Sequence, residues 1–327
     1  MKYRILGKTN YKISEISYGS WSLGADWGDV TEEQALMTLN KAIDSGVNFI
    51  DTADVYGDGR SEQIIGKFLK SRKERIYVAT KAGRRLNPHT TEGYTKQSLN
   101  MFVERSLKNI GVKTLDLLQL HCPPTPVYYK QDVFVELEEM VKKKKIRYYG
   151  VSVEKVEEGL KAIEYPGLST VQIIFNMFRQ RPADLFFQQA VKKNIGIIVR
   201  VPLASGLLTG KMSNKSVFAK NDHRNYNKEG KFFDVGETFA GVDFKTGLAA
   251  VEDLKKIKPG TYSMPQFALK WILMYKEVST IIPGGKQPEQ IEDNIGASRL
   301  PNLSEKTMKE IDHIYTKKIK QQVHHRW

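Results

Sequence analysis

VNFIDTADVYGDGRSEQIIGKFL, running from Val47 to Leu69, is the stretch whose reading decides the fold. The apolar run Val47, Phe49, Ile50 stops at a carboxylate, Asp51. The chain then turns through Tyr56-Gly57-Asp58-Gly59, and Ile64, Ile65, Phe68 and Leu69 recur at helical spacing from a start near Ser61. This is one strand, one polar loop and one helix, with the ionisable groups in the loop. Working outward, Lys81 closes the apolar run IYVAT (76–80) and His121 closes LDLLQL (115–120). Successive strands that each finish on an ionisable residue build an active site at the strand C-termini of a parallel α/β barrel.

The rest of the chain repeats the unit. Strand runs fall near 16–19, 47–51, 76–80, 116–120, 147–151, 171–175, 196–200 and 279–282, which is one run for each strand of a (β/α)8 TIM barrel. Helical periods fill 32–45, 61–70, 95–110, 130–144, 153–163, 183–193 and 262–275, with Thr31 and Ser61 as helix starts. The opening segment alternates around Gly7 and Asn10 and predicts an N-terminal β-hairpin, roughly 2–6 with 11–15, capping the barrel bottom. Residues 203–260 interrupt the even spacing after strand seven. A loop of that length, rich in Gly, Lys, Asn and Asp, is expected to be functional or mobile and to close over a neighbouring site. The expectation is a single barrel domain over residues 1–327, with the basic tail KKIKQQVHHRW on the surface.

Composition narrows the function. No apolar run reaches the roughly 18 residues of a membrane span, and MKYRILGKTN lacks a signal-peptide core, so a soluble, cytoplasmic protein is expected. One cysteine, Cys122, excludes an internal disulfide and a cysteine zinc cluster, and the histidines are not spaced as a metal site. Fifty-one basic against 37 acidic residues give a net charge of +14. The lysines lie scattered at helix ends, where they complement the helix dipole, and form no basic tract interleaved with aromatics, so no nucleic-acid partner is implied. The excess charge still attracts an anionic cofactor or substrate.

The strand-end residues suit carbonyl reduction, in which carbon takes a hydride and oxygen takes a proton. A tyrosine of ordinary pKa about 10 is a weak acid, and a nearby cation favours its phenolate. Lys81 supplies that cation, Asp51 holds the ammonium, Tyr56 donates the proton, and His121 hydrogen-bonds the substrate oxygen. In order and spacing these residues resemble the Asp-Tyr-Lys-His tetrad of the aldo-keto reductases. FIDTADVYG resembles that family's first signature, and KIRYYGVS (145–152), VQIIFNMF (171–178), VPLASGLLTGK (201–211) and IIPGGKQPEQIEDN (281–294) follow in the family's order across nearly the whole chain.

The resemblance implies NADPH as cofactor and a small-molecule aldehyde or ketone as substrate. No glycine-rich dinucleotide fingerprint follows an early strand. The turn Gly284-Gly285-Lys286 instead offers backbone amides and a cation to a phosphate. By resemblance Lys286 meets the adenosine 2′-phosphate, Gln290 and Asn294 meet adenine, and Leu203, Ser205 and Lys211 lie along the pyrophosphate. Ser152 and Gln172 match the positions that bind the nicotinamide amide, while Val153 stands where the family commonly has Asn. Arg200 replaces an aromatic that stacks on the nicotinamide, and a guanidinium there either stacks in its place or binds an anionic substrate. Trp21 and Trp27 are candidate walls of the substrate pocket. The family also includes regulatory subunits of potassium channels that hold the cofactor with little turnover, and this is the alternative function. The sequence leaves the oligomeric state open.

Overall fold

The computed structural model describes residues 1–24 and 30–327. Two short strands, β1 (Tyr3–Ile5) and β2 (Lys12–Ser14), pair antiparallel as the expected hairpin. Eight parallel strands follow: β3 (Tyr18–Gly19), β4 (Phe49–Asp51), β5 (Tyr77–Ala82), β6 (Leu115–His121), β7 (Ile146–Ser152), β8 (Leu168–Ile174), β9 (Gly196–Arg200) and β10 (Val278–Ile281). They pair in sequence order. The ring closes where Ser17 N–H donates to Ile281 and Ile281 N–H donates to Glu15, with Ile16 bridging Ile281 in parallel. The fold is a (β/α)8 barrel.

Helices α1 (Glu32–Asp44), α2 (Arg60–Lys70), α3 (Lys96–Ile110), α4 (Gln131–Lys142), α5 (Val156–Ala162) and α6 (Phe186–Lys192) cross over between strands. Thr31 starts α1 as expected, in a reciprocal cap with Gln34. Ser61 does not cap α2. Gly59 holds that position at φ 92°, and Ser61 turns inward to Thr52 and Ser20.

Side chains alternate across each strand, so the inward series rises from apolar to polar. Phe49 lies below Asp51, Ala79 below Lys81, Leu117 below Gln119 and His121, and Ile198 below Arg200. The lower ends, Phe49, Ala79, Leu117 and Ile198, pack with Leu6 and Ile13 of the hairpin. Tyr11 stacks on Tyr77, with ring centroids 4.1 Å apart, beneath them. The bottom is therefore plugged, and the polar groups have only the upper mouth.

The segment after β9 is more ordered than expected. It contains a short helix α7 (His223–Tyr226) and a full helix α8 (Phe244–Ile257), started by Asp243 accepting from Thr246 N–H. Helices α9 (Met264–Leu273), α10 (Pro288–Gly296) and α11 (Glu305–Ile314) complete the shell. The basic tail is not loose on the surface, because Tyr315, Ile319, Val323 and Trp327 are all buried. Their spacing of four places one apolar stripe inward while the lysines face out. Among the described residues no helix is long and apolar enough to cross a membrane.

Candidate active site

Asp51, Lys81 and His121 converge because their strands are neighbours in register, Asp51 opposite Ala79 and Lys81 opposite Gln119. Tyr56 comes from the loop between β4 and α2. Lys81 Nζ lies 2.5 Å from Asp51 Oδ1, 2.8 Å from the Thr52 carbonyl and 3.3 Å from Tyr56 Oη. Lys81 and Asp51 are almost fully enclosed, so either charge alone would cost several kcal/mol of desolvation. Burial drives the lysine toward neutrality, but attraction to Asp51 and Tyr56 outweighs it and raises its pKa. Asp51 is held further by the side-chain amides of Gln172 at 2.8 Å and Gln119 at 3.0 Å. Sequence reading passed over Gln119; its signal is a polar residue at the inward position two before His121.

Tyr56 departs from expectation in one respect. Its pKa is raised, because burial outweighs the opposing pull of Lys81. The phenol is thus protonated at neutral pH, with the Lys81 ammonium beside it. The His121 ring stands edge-on to Tyr56, centroids 6.0 Å apart. Burial, reinforced by Arg84, Lys81 and Arg200, holds its pKa well below 6.5, so the imidazole is neutral. Its Nδ1 is buried with no hydrogen-bond partner.

These groups open onto a cleft of about 690 Å³. Asp51, Tyr56, His121, Gln172 and Trp21 form its deep end, and Leu203, Ser205 and Lys211 its flank. Gly284, Gly285, Lys286, Gln290 and Asn294 form its far end. Gly19 and Gly284 meet where the barrel closes, and a Cβ on Gly19 would lie 2.5 Å from the Ile282 carbonyl oxygen. The cleft suits an elongated nucleotide with a phosphate toward the start of α10. Gln290 Oε1 accepts from the Lys286 N–H at 2.7 Å and more weakly from Gln287, so those amides are capped, and the Lys286 side chain lines the cleft beside them. Asn294 Nδ2 donates to the Gly284 carbonyl and braces the turn.

Ser152 is not brought to the cleft wall. It is fully buried behind Gln172, its Oγ 3.4 Å from that amide oxygen, and Val153 is likewise buried, in the hydrophobic core. Trp21 lies nearly parallel to Tyr56, centroids 6.0 Å apart, whereas Trp27 lies outside the described residues. Arg200 reaches the cleft with its charge already matched. It bonds Glu154 at 2.9 Å and Glu237 at 3.3 Å, and donates to the Val153 carbonyl. Two carboxylates already balance its charge, which weighs against an anion site and leaves the stacking role as an expectation. Arg84 joins the same two carboxylates, which makes a buried set of two cations and two anions. Burial pushes the Glu154 carboxyl up to about 7; Glu237, also opposed by burial, is held low by Arg84 and Arg200. Cys122 Sγ adjoins this set, and burial raises its pKa, so it is an inert thiol. With guanidiniums on the carboxylates, the Cys122, Glu154 and Glu237 ligand atoms make a poor metal site. Glu154 and Glu237 escaped the sequence reading because the second lies in the insertion, with no periodic context.

A model of the aldo/keto reductase family matches residues 15–316. The chain is 30% identical over 302 residues to aldo-keto reductase YhdN of Bacillus subtilis (strain 168), covering 89% of this chain and 87% of the relative. It is also 30% identical over 316 residues to aldo-keto reductase yakc [NADP(+)] of Schizosaccharomyces pombe (strain 972 / ATCC 24843), covering 92% and 88% of the two chains. Among solved structures it resembles the glycerol dehydrogenase AKR11B4 from Gluconobacter oxydans, with TM-score 0.78 and 28% identity over 97% of this chain and 95% of that one.

Proposed function

Because this chain belongs to the aldo/keto reductase family of oxidoreductases, we propose that it is an NADPH-dependent enzyme that reduces an aldehyde or ketone to an alcohol, with Tyr56 as the proton donor. The observation that carries this reading is Lys81 Nζ set between Asp51 and Tyr56 at the deep end of the cleft. The bound nicotinamide supplies the hydride. Neutral His121 orients the carbonyl oxygen toward Tyr56. Tyr56 gives up its proton as negative charge develops on that oxygen, and the fixed Lys81 ammonium stabilises the phenolate left behind. Gln119 and Gln172 hold Asp51, and through it Lys81, so the cation need not reorganise during the step.

The relative named for NADP(+) and the Lys286 side chain at the far end of the cleft support NADPH over NADH. A charge-assisted contact to the extra phosphate contributes roughly 1.5–3 kcal/mol. Lys286→Ala is expected to erase most of that preference, measured as the ratio of NADPH to NADH dissociation constants. Following NADPH oxidation with a panel of aldehydes, ketones, aldoses and pyridoxal tests turnover. A cofactor-holding regulatory subunit would bind NADPH tightly and oxidise it with none of them.

A further inference from the structure

The insertion after β9 does more than flank the cleft. His223 and Phe233, both within it, pack on Trp21 with ring centroids 4.7 and 6.0 Å away, and Trp21 in turn lies against Tyr56. These rings form the wall facing the proton donor. Four residues beyond Phe233, the Glu237 side chain is almost fully buried. Arg84, just past the end of β5, donates to it at 2.5 and 3.3 Å, and Arg200, at the end of β9, lies 3.3 Å away. The Arg84 guanidinium also sits over the Phe233 ring at 5.7 Å. A single side chain on the barrel thus holds both the acidic anchor and one aromatic of the wall. The Glu237 carbonyl accepts from Ser205 Oγ at 2.8 Å, which ties the same point to the β9 loop.

We propose that Arg84 and Glu237 are positioning residues that latch the insertion to the barrel and thereby hold the His223–Phe233 wall in place beside Tyr56. The substrate part of this inference rests on the reductase reading above; the latch does not. Buried ion pairs suit the task because they are directional and lose their partner's compensation as soon as they part. The remaining pair, Arg200 with Glu154, stays charge-balanced if Arg84 and Glu237 are both neutralised.

The test compares the unmodified protein with Glu237→Gln, Glu237→Asp and the double variant Arg84→Gln/Glu237→Gln. Backbone hydrogen exchange across 222–238 should quicken at least tenfold in Glu237→Gln and equally in the double variant, with exchange in α3 unchanged. Carbonyl KM should rise at least fivefold while kcat stays within twofold, and Glu237→Asp should recover most of both effects. Unchanged exchange, exchange clearly faster in the double variant than in Glu237→Gln, or a fall in kcat at constant KM would overturn the proposal. If Glu237→Gln does not fold, the double variant, which strands no charge, carries the same readouts. If the unmodified protein reduces no carbonyl, the reductase reading fails and the substrate role falls with it, while the exchange arm still decides the latch.

Discussion

At the scale of single residues, the proposed function separates groups that would move a proton from groups that would hold them in place. On the proposed reading Tyr56→Phe removes the donor and keeps the ring, so NADPH affinity should persist while turnover falls on the order of 10²-fold or more, read from single-turnover and steady-state rates. Lys81→Met should lower turnover comparably, because the phenolate loses its counter-charge and Asp51 is left buried and unpaired. A stability change without a rate change would make that ion pair structural. Val153 illustrates how placement outranks alignment. Its family position suggests that an asparagine there would gain a cofactor contact, but the side chain is fully buried in the core. Val153→Asn is therefore expected to cost roughly 1–3 kcal/mol of stability with no gain in NADPH affinity, measured by denaturant unfolding and fluorescence titration. Strand-end residues were legible from sequence because each follows an apolar run directly. The carboxylates that neutralise Arg200 were not, since partners distant in sequence leave no local pattern.

At the scale of elements, the loop between β4 and α2 carries a buried carboxyl three residues beyond Asp51. Asp54 has both side-chain oxygens enclosed without a hydrogen-bond partner, and burial, with Glu62 nearby, pushes its pKa up to about 7. Because its folded pKa lies above its unfolded value, the folded state binds the extra proton between the two. Stability therefore falls as pH rises from about 4 through about 7. At about 1.4 kcal/mol per unit, a rise of roughly three units bounds the penalty near 4 kcal/mol. Asp54→Asn should raise the melting temperature at pH 8 and leave it nearly unchanged at pH 5. Equal effects at both pH values would mean that Asp54 is not protonated in the folded state. Helix periods were readable wherever loops are short, and β7, β8 and α1 fall within a few residues of their expected bounds. Helix α8 was hidden because the glycines and polar residues of 203–241 made the whole segment read as loop, although Ala250, Val251 and Leu254 keep helical spacing.

At the scale of the whole molecule, charge and closure matter more than any pair of residues. A net charge of +14 draws in an anionic dinucleotide, and salt screens that attraction over about 10 Å at 0.1 M. The NADPH association rate should drop several-fold between roughly 50 mM and roughly 500 mM salt, followed by stopped-flow fluorescence, with a smaller change in dissociation. An association rate indifferent to salt would mean that the net charge does not steer the dinucleotide. The fold class itself was legible throughout, because eight spaced apolar runs with helices between them admit few arrangements.

The seam where β3 meets β10 has a consequence for how the protein is made. Gly19, almost the first barrel residue to leave the ribosome, and Gly284, among the last, line the same mouth. A nascent chain still missing β10 has two unpaired sheet edges and only part of the cleft. Under the proposed function, nucleotide capture is thus reserved for finished polypeptides, and a cell rich in NADPH would selectively stabilise completed translation products over truncated ones.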